Sequence, residues 1–293
     1  MSTTISLPAI QIGTSMPIID NDQDFQDLRM AVDLLESPSI TAKISNLIGS
    51  PIEGLVEKLP RSVSAKLNGA VSAALHKSAN AALWSLDNTP KAQASTKLHK
   101  LYAATSGAVG GLFGFTALFI ELPISTTIMM RAVADVARSE GFDLDDFATK
   151  RACIEVFALG GKTDGDDGTE TGYYVTRSFA TGVVSHLSKP LADIAAKQAS
   201  SGLSRGFSMA PQTAANWLAA LIEKVASRFG VVITNKFAAQ AVPVIGAVSG
   251  AAINALFTDF YQDMARGHFT IMRLEEKYGT EQVRAEYEAI AKA

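Results

Sequence analysis

Between Lys236 and Asp259 the chain runs for 22 residues without a formal charge. Within that stretch Gly246, Gly250 and Asn254 recur at every fourth position, and residues four apart lie one above another on a helix. A stripe without bulk lets another helix backbone come very close, the small-xxx-small arrangement common between helices in lipid. Pro243 stands where such a helix can begin, because its missing N–H costs nothing in the first turn. The run predicts a tightly packed helix inside Phe229 to Tyr278, with the rest of the chain supplying its partners.

A second run mirrors the first. Leu101 to Ile120, LYAATSGAVGGLFGFTALFI, is 20 residues with no charge, bounded by Lys100 and Glu121. That length matches the thickness of a bilayer core. Yet the run contains Thr105, Ser106 and glycines at 107, 110, 111 and 114. Each Gly costs about 0.8–1.0 kcal/mol relative to Ala in a helix, so the stretch is fragile unless packed against something. Gly107, Gly111 and Gly114, with Gly246, Gly250 and Asn254, are the candidate helix-packing or lipid-contact positions. Three readings of the run stand side by side: a buried central helix of a bundle, a membrane span, or a hairpin that changes between the two. Pro123 then opens a second helix, as Pro243 does later. Both halves thus show an apolar small-residue run, a proline, and a helix that turns charged at its far end.

Composition favours the same class. Hydrophobic residues make up 47% and charged residues 19%, while aromatics stay at 8%, so Ala and Gly carry much of the apolar content. This points to closely packed helices rather than a sheet core rich in β-branched and aromatic residues. The expected fold is all-α, a multi-helix bundle with two central Gly/Ala-rich apolar helical hairpins. A net charge of −3 offers no global basic surface, and no nucleic acid partner is expected. Cys153 is the single cysteine, which excludes an internal disulfide and suits a reducing compartment. The N-terminus lacks the basic start and compact apolar core of a signal peptide, so a cytoplasmic location is expected.

The domain reading is simple. Residues 1–23, with two prolines and no helical period, read as a flexible tail, and 24–293 as one α-helical domain. Phe25, Leu28, Val32 and Leu35 have helical spacing up to Ser37-Pro38. Short amphipathic segments follow to Pro60, and a longer helix from about Ser62 to Leu86 puts Val63, Leu67, Val71, Leu75 and Ala79 on one face. Trp84 near its end is either a core residue or an interfacial anchor. Gly141 fits a left-handed position after the helix that starts at Pro123, and Asp143 is placed to cap the next one. Residues 160–172, GGKTDGDDGTETG, read as a mobile acidic, glycine-rich loop. A last charged helix runs from Glu275 to Ala293.

Polar residues give one candidate site and several failed motifs. In the helix after Pro123, Ser125, Ile128, Ala132, Asp135 and Arg138 share a face, with Glu121 just before it and Arg131 at its edge. Arg131 and Asp135 are four apart and Asp135 and Arg138 three apart, spacings at which side chains meet. Glu121, Arg131, Asp135 and Arg138 therefore form either a structural ion-pair network or a site for a polar ligand or headgroup. Gly161-Lys162-Thr163 resembles the end of a phosphate-binding loop, but the first glycine of that signature falls at Val156. The acidic run after Asp164 resembles a calcium loop, but its glycine comes one place off and no Glu stands at position twelve. Gly202-Leu-Ser-Arg-Gly matches G-x-S-x-G, but helical sequence precedes Ser204 where a nucleophile elbow needs a strand. The four histidines show no paired ligand spacing, and Cys153 has no His or Lys in register to lower its pKa. No catalytic residue, metal or cofactor is expected.

Two blocks carry a resemblance. ELPISTTIMMRAVADVARSEGFDL with the helix through Glu155, and FGVVITNKFAAQAVPVIGAVSGAAINALFTDFYQDMA, are similar to the EcsC family of bacterial proteins. PVIGAVSGAAINALFT is the most specific part. The resemblance implies an α-helical domain that is cytoplasmic and membrane-associated at the inner face, named for an operon that also encodes an ABC transporter. It implies no catalytic residues. The expected partners are membrane lipid or another apolar ligand and a membrane protein such as a transporter. The expected function is non-enzymatic lipid or membrane binding. The alternative is an enzyme or regulatory subunit with a polar site around Glu121, Arg131 and Asp135.

Overall fold

The computed structural model describes residues 17–49, 51–57, 59, 61–83, 99, 115–159, 172–177, 211–240 and 246–293. Every regular element among them is a helix and no strand occurs, so the protein is all-α. A short 3₁₀ turn, Ile18–Asp20, leads into α1 (Asp22–Leu35), which Asn21 caps by accepting from the Asp24 amide at 3.1 Å. Ile18 is fully buried, and α1 begins two residues before the boundary expected at residue 24. Next come α2 (Ile40–Ile48), α3 (Glu53–Val56) and α4 (Arg61–Leu83). On α4 the stripe Leu67, Val71, Leu75 and Ala79 is buried, as a helical period requires.

Helix α5 (Phe115–Ser139) departs from expectation at its start. Pro123 lies inside it, not at its first turn, because the apolar residues upstream continue the helix. The proline removes one ladder bond. The Thr127 hydroxyl donates to the Pro123 carbonyl at 2.7 Å, a side-chain bond one turn back along the helix. Gly141 has φ 98°, and the amides of Phe142 and Gly141 donate back to Ala137 and Arg138, a Schellman closure that only a left-handed residue permits. Asp146, rather than Asp143, caps α6 (Phe147–Glu155), which passes into a 3₁₀ turn at Val156–Ala158. Asp143 instead tightens the turn by accepting from the Asp145 amide at 2.7 Å. Residues 172–177 are again helical. Three helices complete the chain: α7 (Pro211–Gln240), α8 (Gly246–Tyr278) and α9 (Thr280–Ala291).

Helix α8, 33 residues long, is the axis of the packing, with α1, α2, α5, α7 and α9 against it. Phe157 stacks on Tyr261 at 4.9 Å, and Phe229 meets both rings edge-on, so α7 and the 3₁₀ turn after α6 close over its middle. Two contacts fix how α5 lies on α8. Asn254 touches Glu121 at 2.8 Å and Arg273 approaches Glu140 at 3.7 Å, and both pairs are separated by 133 residues in the chain. A constant separation means the two helices run parallel, in one register over 19 residues. Helix α1 runs the opposite way. Asp27 pairs with Arg273 while Leu35, further along, lies against Gly267.

Several expected features lie outside the described residues: Gly107, Gly111, Gly114, Trp84, Pro243, Ser204 and the loop from 160 to 171. Gly246 is the first residue of α8, and Gly250, four positions on, is buried. No helix among the described residues is long and apolar enough to cross a membrane.

Candidate functional site

Glu121, near the start of α5, is 4% exposed, and Lys236, near the end of α7, is 1% exposed. The Lys236 ammonium donates to Glu121 Oε1 at 3.0 Å and reaches Ser125 Oγ at 3.4 Å. From the third helix, α8, the Asn254 amide donates to the same Oε1 at 2.8 Å. The ammonium also lies 5.6 Å from the centre of the Phe257 ring. A buried charge is tolerated only when paired and hydrogen-bonded, and here one cation and one anion cancel. Each helix brings its part by elementary spacing. Glu121 and Ser125 are one turn apart on α5, as Asn254 and Thr258 are on α8.

The carboxylate is used on one side only. Glu121 Oε2 is buried without a hydrogen-bond partner, as are Thr126 Oγ1 on α5 and Thr258 Oγ1 and Tyr261 Oη on α8.

The sequence-predicted polar residues do not converge. Glu121 and Asp135 are fourteen positions apart on α5, about 21 Å at 1.5 Å per residue. Asp135 has its own partners: Arg138, an i,i+3 pair, and His99, whose Nε2 is 3.3 Å from Oδ2. Arg131 is half-buried and makes no ion pair or hydrogen bond among the described residues. So Asp135 and Arg138 belong to one cluster, Glu121 to another, and Arg131 to neither. Asn254, read in sequence as a small packing residue, is a polar tie between α8 and α5. Lys236 marked only the edge of an uncharged run.

A second buried polar cluster lies toward the far end of α8. Arg177 grips Glu275 through two bonds of 2.7 and 2.6 Å, and Tyr174 donates to the same carboxylate at 3.3 Å. The Tyr173 hydroxyl sits 2.9 Å from His268 Nδ1. Burial, with the charges of Arg177 and Arg151, holds the His268 imidazole well below its usual pKa, so it is neutral. Burial pushes the Glu155 carboxyl above its ordinary range. Tyr287 closes the cluster from α9, stacked on Tyr173 at 5.5 Å and donating to Glu36 at 2.7 Å. Sequence gave little sign of this cluster, since its members come from five separate segments. Burial also pushes the Cys153 thiol up, keeping it protonated, and no group of three metal-ligating side chains occurs among the described residues.

Fold and site define an all-α protein with a charge-balanced polar junction buried where three helices meet. The chain belongs to the EcsC protein family, whose model matches residues 26–274. No curated protein and no solved structure matches it.

Proposed function

We propose that this EcsC-family protein is a non-enzymatic lipid- or membrane-binding protein working at the inner face of a membrane, beside a transporter as the family's operon suggests. One observation carries the reading. Glu121 ends one of the two long uncharged runs and Lys236 begins the other, and these two residues pair inside the bundle. The described end of the first run, residues 115–120, and the start of the second, residues 237–240, therefore adjoin one charge-balanced junction, whose polar groups for a ligand are Glu121, Lys236 and Asn254.

Nothing in the junction resembles a nucleophile with its base. Ser125 Oγ donates to the Leu122 carbonyl at 3.2 Å, and the group nearest it, Lys236, is committed to Glu121. The alternative, an enzyme or regulatory subunit using Glu121, Arg131 and Asp135 together, is disfavoured by their separation along α5. The test is flotation of the purified full chain with vesicles of neutral and of anionic phospholipid at low and high salt. Co-flotation with at least one composition is expected. Absence from the lipid layer under every condition removes the reading.

A further inference from the structure

Charge is unevenly divided along this chain. Helices α4 and α7 carry six of its 26 basic residues but only one of its 29 acidic ones. Helix α4 holds no Asp or Glu in 23 residues, whereas α1 has four aspartates against one arginine. A net charge of −3 thus conceals a region that is basic because carboxylates are missing from it.

Two of the six cations are engaged inside the fold, since Lys236 pairs with Glu121 and Arg228 donates to Thr176. Three others, Lys66, Lys77 and Lys224, are exposed, and their side chains make no bond or ion pair among the described residues. On α4 the exposed positions are Lys66, Gly69, Ala73, Lys77 and Ala81, spaced three and four apart and therefore one stripe. The stripe lies away from the buried Leu67, Val71 and Leu75, on the side turned from α5 and α7. Helix α7 extends the same surface. Glu223 accepts from Ser72 and lies 3.4 Å from His76, with side chains 63% and 36% exposed for Glu223 and His76. That contact is at the surface, so the outer sides of α4 and α7 are continuous across it. Lys224 adjoins it, and two turns further on Val231 is 51% exposed.

The chemistry of this face fits an anionic bilayer. Lysine ammonium groups are compact charges on flexible stems, suited to a diffuse layer of phosphates. Tight recognition of a nucleic acid or phosphopeptide favours the planar arginine fork instead. Between its lysines the α4 stripe exposes only Gly and Ala, with no ring on which a base could stack. Side chains that small let the helix lie close to lipid headgroups while the lysines reach the phosphates, and Val231 has an apolar layer to enter.

We infer that the outer side of α4, with the adjoining side of α7, is the surface by which this protein docks on a bilayer. Lys66, Lys77 and Lys224 make it select anionic phospholipid. The inference rests on the membrane-binding reading above and adds to it the docking face and the lipid charge.

Flotation of the full chain compares phosphatidylcholine vesicles with vesicles that also contain phosphatidylglycerol, at low and high salt. Wild type is expected on the anionic vesicles at low salt, with little on the neutral ones and a loss at high salt. A lysine near an anionic surface contributes about fivefold to partitioning, so Lys66→Gln with Lys77→Gln should lower it about 25-fold. Lys66→Glu with Lys77→Glu should lower it further, and thermal unfolding checks that both variants stay folded. Arg29→Gln with Lys292→Gln removes the same charge from exposed positions on α1 and beside the end of α9, and stays near wild type. Equal losses in the two glutamine pairs overturn the inference, because net charge rather than this face then governs binding. A wild type that floats equally well with neutral vesicles and ignores salt also overturns it, while membrane binding stands. No flotation under any condition overturns both, even where these lysines retain a soluble polyanion such as heparin.

Discussion

Glu121 and Lys236, 115 residues apart in sequence, meet at 3.0 Å with almost no exposure to solvent. The pair joins α5 to α7, and Asn254 adds α8 to the same carboxylate oxygen. Removing one member leaves the other charged, buried and without its counter-ion, which typically costs about 3–5 kcal/mol. Removing both leaves no such charge.

Lys236→Met alone is therefore expected to destabilise the fold by about 3–5 kcal/mol in denaturant unfolding. The double variant Glu121→Leu with Lys236→Met loses less than either single change, although Asn254 gives up an acceptor. A double variant as unstable as the sum of the two singles would show that the pair does not act as a unit.

Much of the fold was legible because helical period needs only local sequence. The buried stripe of α4, the Ser37-Pro38 break and the left-handed Gly141 all follow from neighbours within a turn or two. The site was legible in halves. Glu121 announced itself as a charge at the edge of an apolar run, but its partner depends on tertiary packing, which residue spacing does not encode. The Arg131–Asp135 spacing allowed a contact, yet His99 and Arg138 already hold that carboxylate. Pro123 misled for a similar reason, since a helix already started upstream runs through it.

Glycine tells the same story. The sequence pattern points to the stripe at 246 and 250, but a close helix approach occurs at Gly267, beside Arg266. A methyl group there would lie 2.6 Å from Leu35 Cγ, so α1 crosses α8 where only a hydrogen fits. Gly267→Ala is expected to destabilise by about 1–3 kcal/mol through overpacking. With Leu35→Ala already present, the same change becomes neutral or stabilising by up to about 1 kcal/mol, the ordinary helix preference of Ala over Gly. Thermal unfolding of the four-member cycle reads that change of sign.

Arg177 clamps residues 172–177 onto α8 through two bonds to Glu275. A lysine keeps the charge but not the planar fork, so Arg177→Lys is not a mild change at a bidentate site. It is expected to cost about 1–2 kcal/mol, roughly one charge-assisted hydrogen bond. Amide exchange at residues 173–177 should speed up in this variant while α4 keeps its protection. Unchanged exchange there would mean that the aromatic packing of Tyr173 and Tyr174, rather than the clamp, holds the segment.

The neutrality of His268 has a consequence in mildly acidic solution. Its folded pKa lies well below 6.5, so between about pH 6.5 and 5 the unfolded chain binds a proton that the folded chain refuses. Stability then rises with pH, because the state holding more protons is the unfolded one. The contribution is complete above about pH 6.5 and is lost as pH falls toward the depressed folded value. His268→Gln removes the titrating group and leaves an amide facing the Tyr173 hydroxyl, 2.9 Å from the ring nitrogen it replaces. Unfolding free energy measured across pH 5 to 7 should show a positive slope in wild type and a flatter one in the variant. The difference should approach about 1.4 kcal/mol per pH unit near the acid end of that window. Equal slopes would place the pH sensitivity elsewhere than His268, and not at Glu155, whose raised pKa gives a slope of the opposite sign.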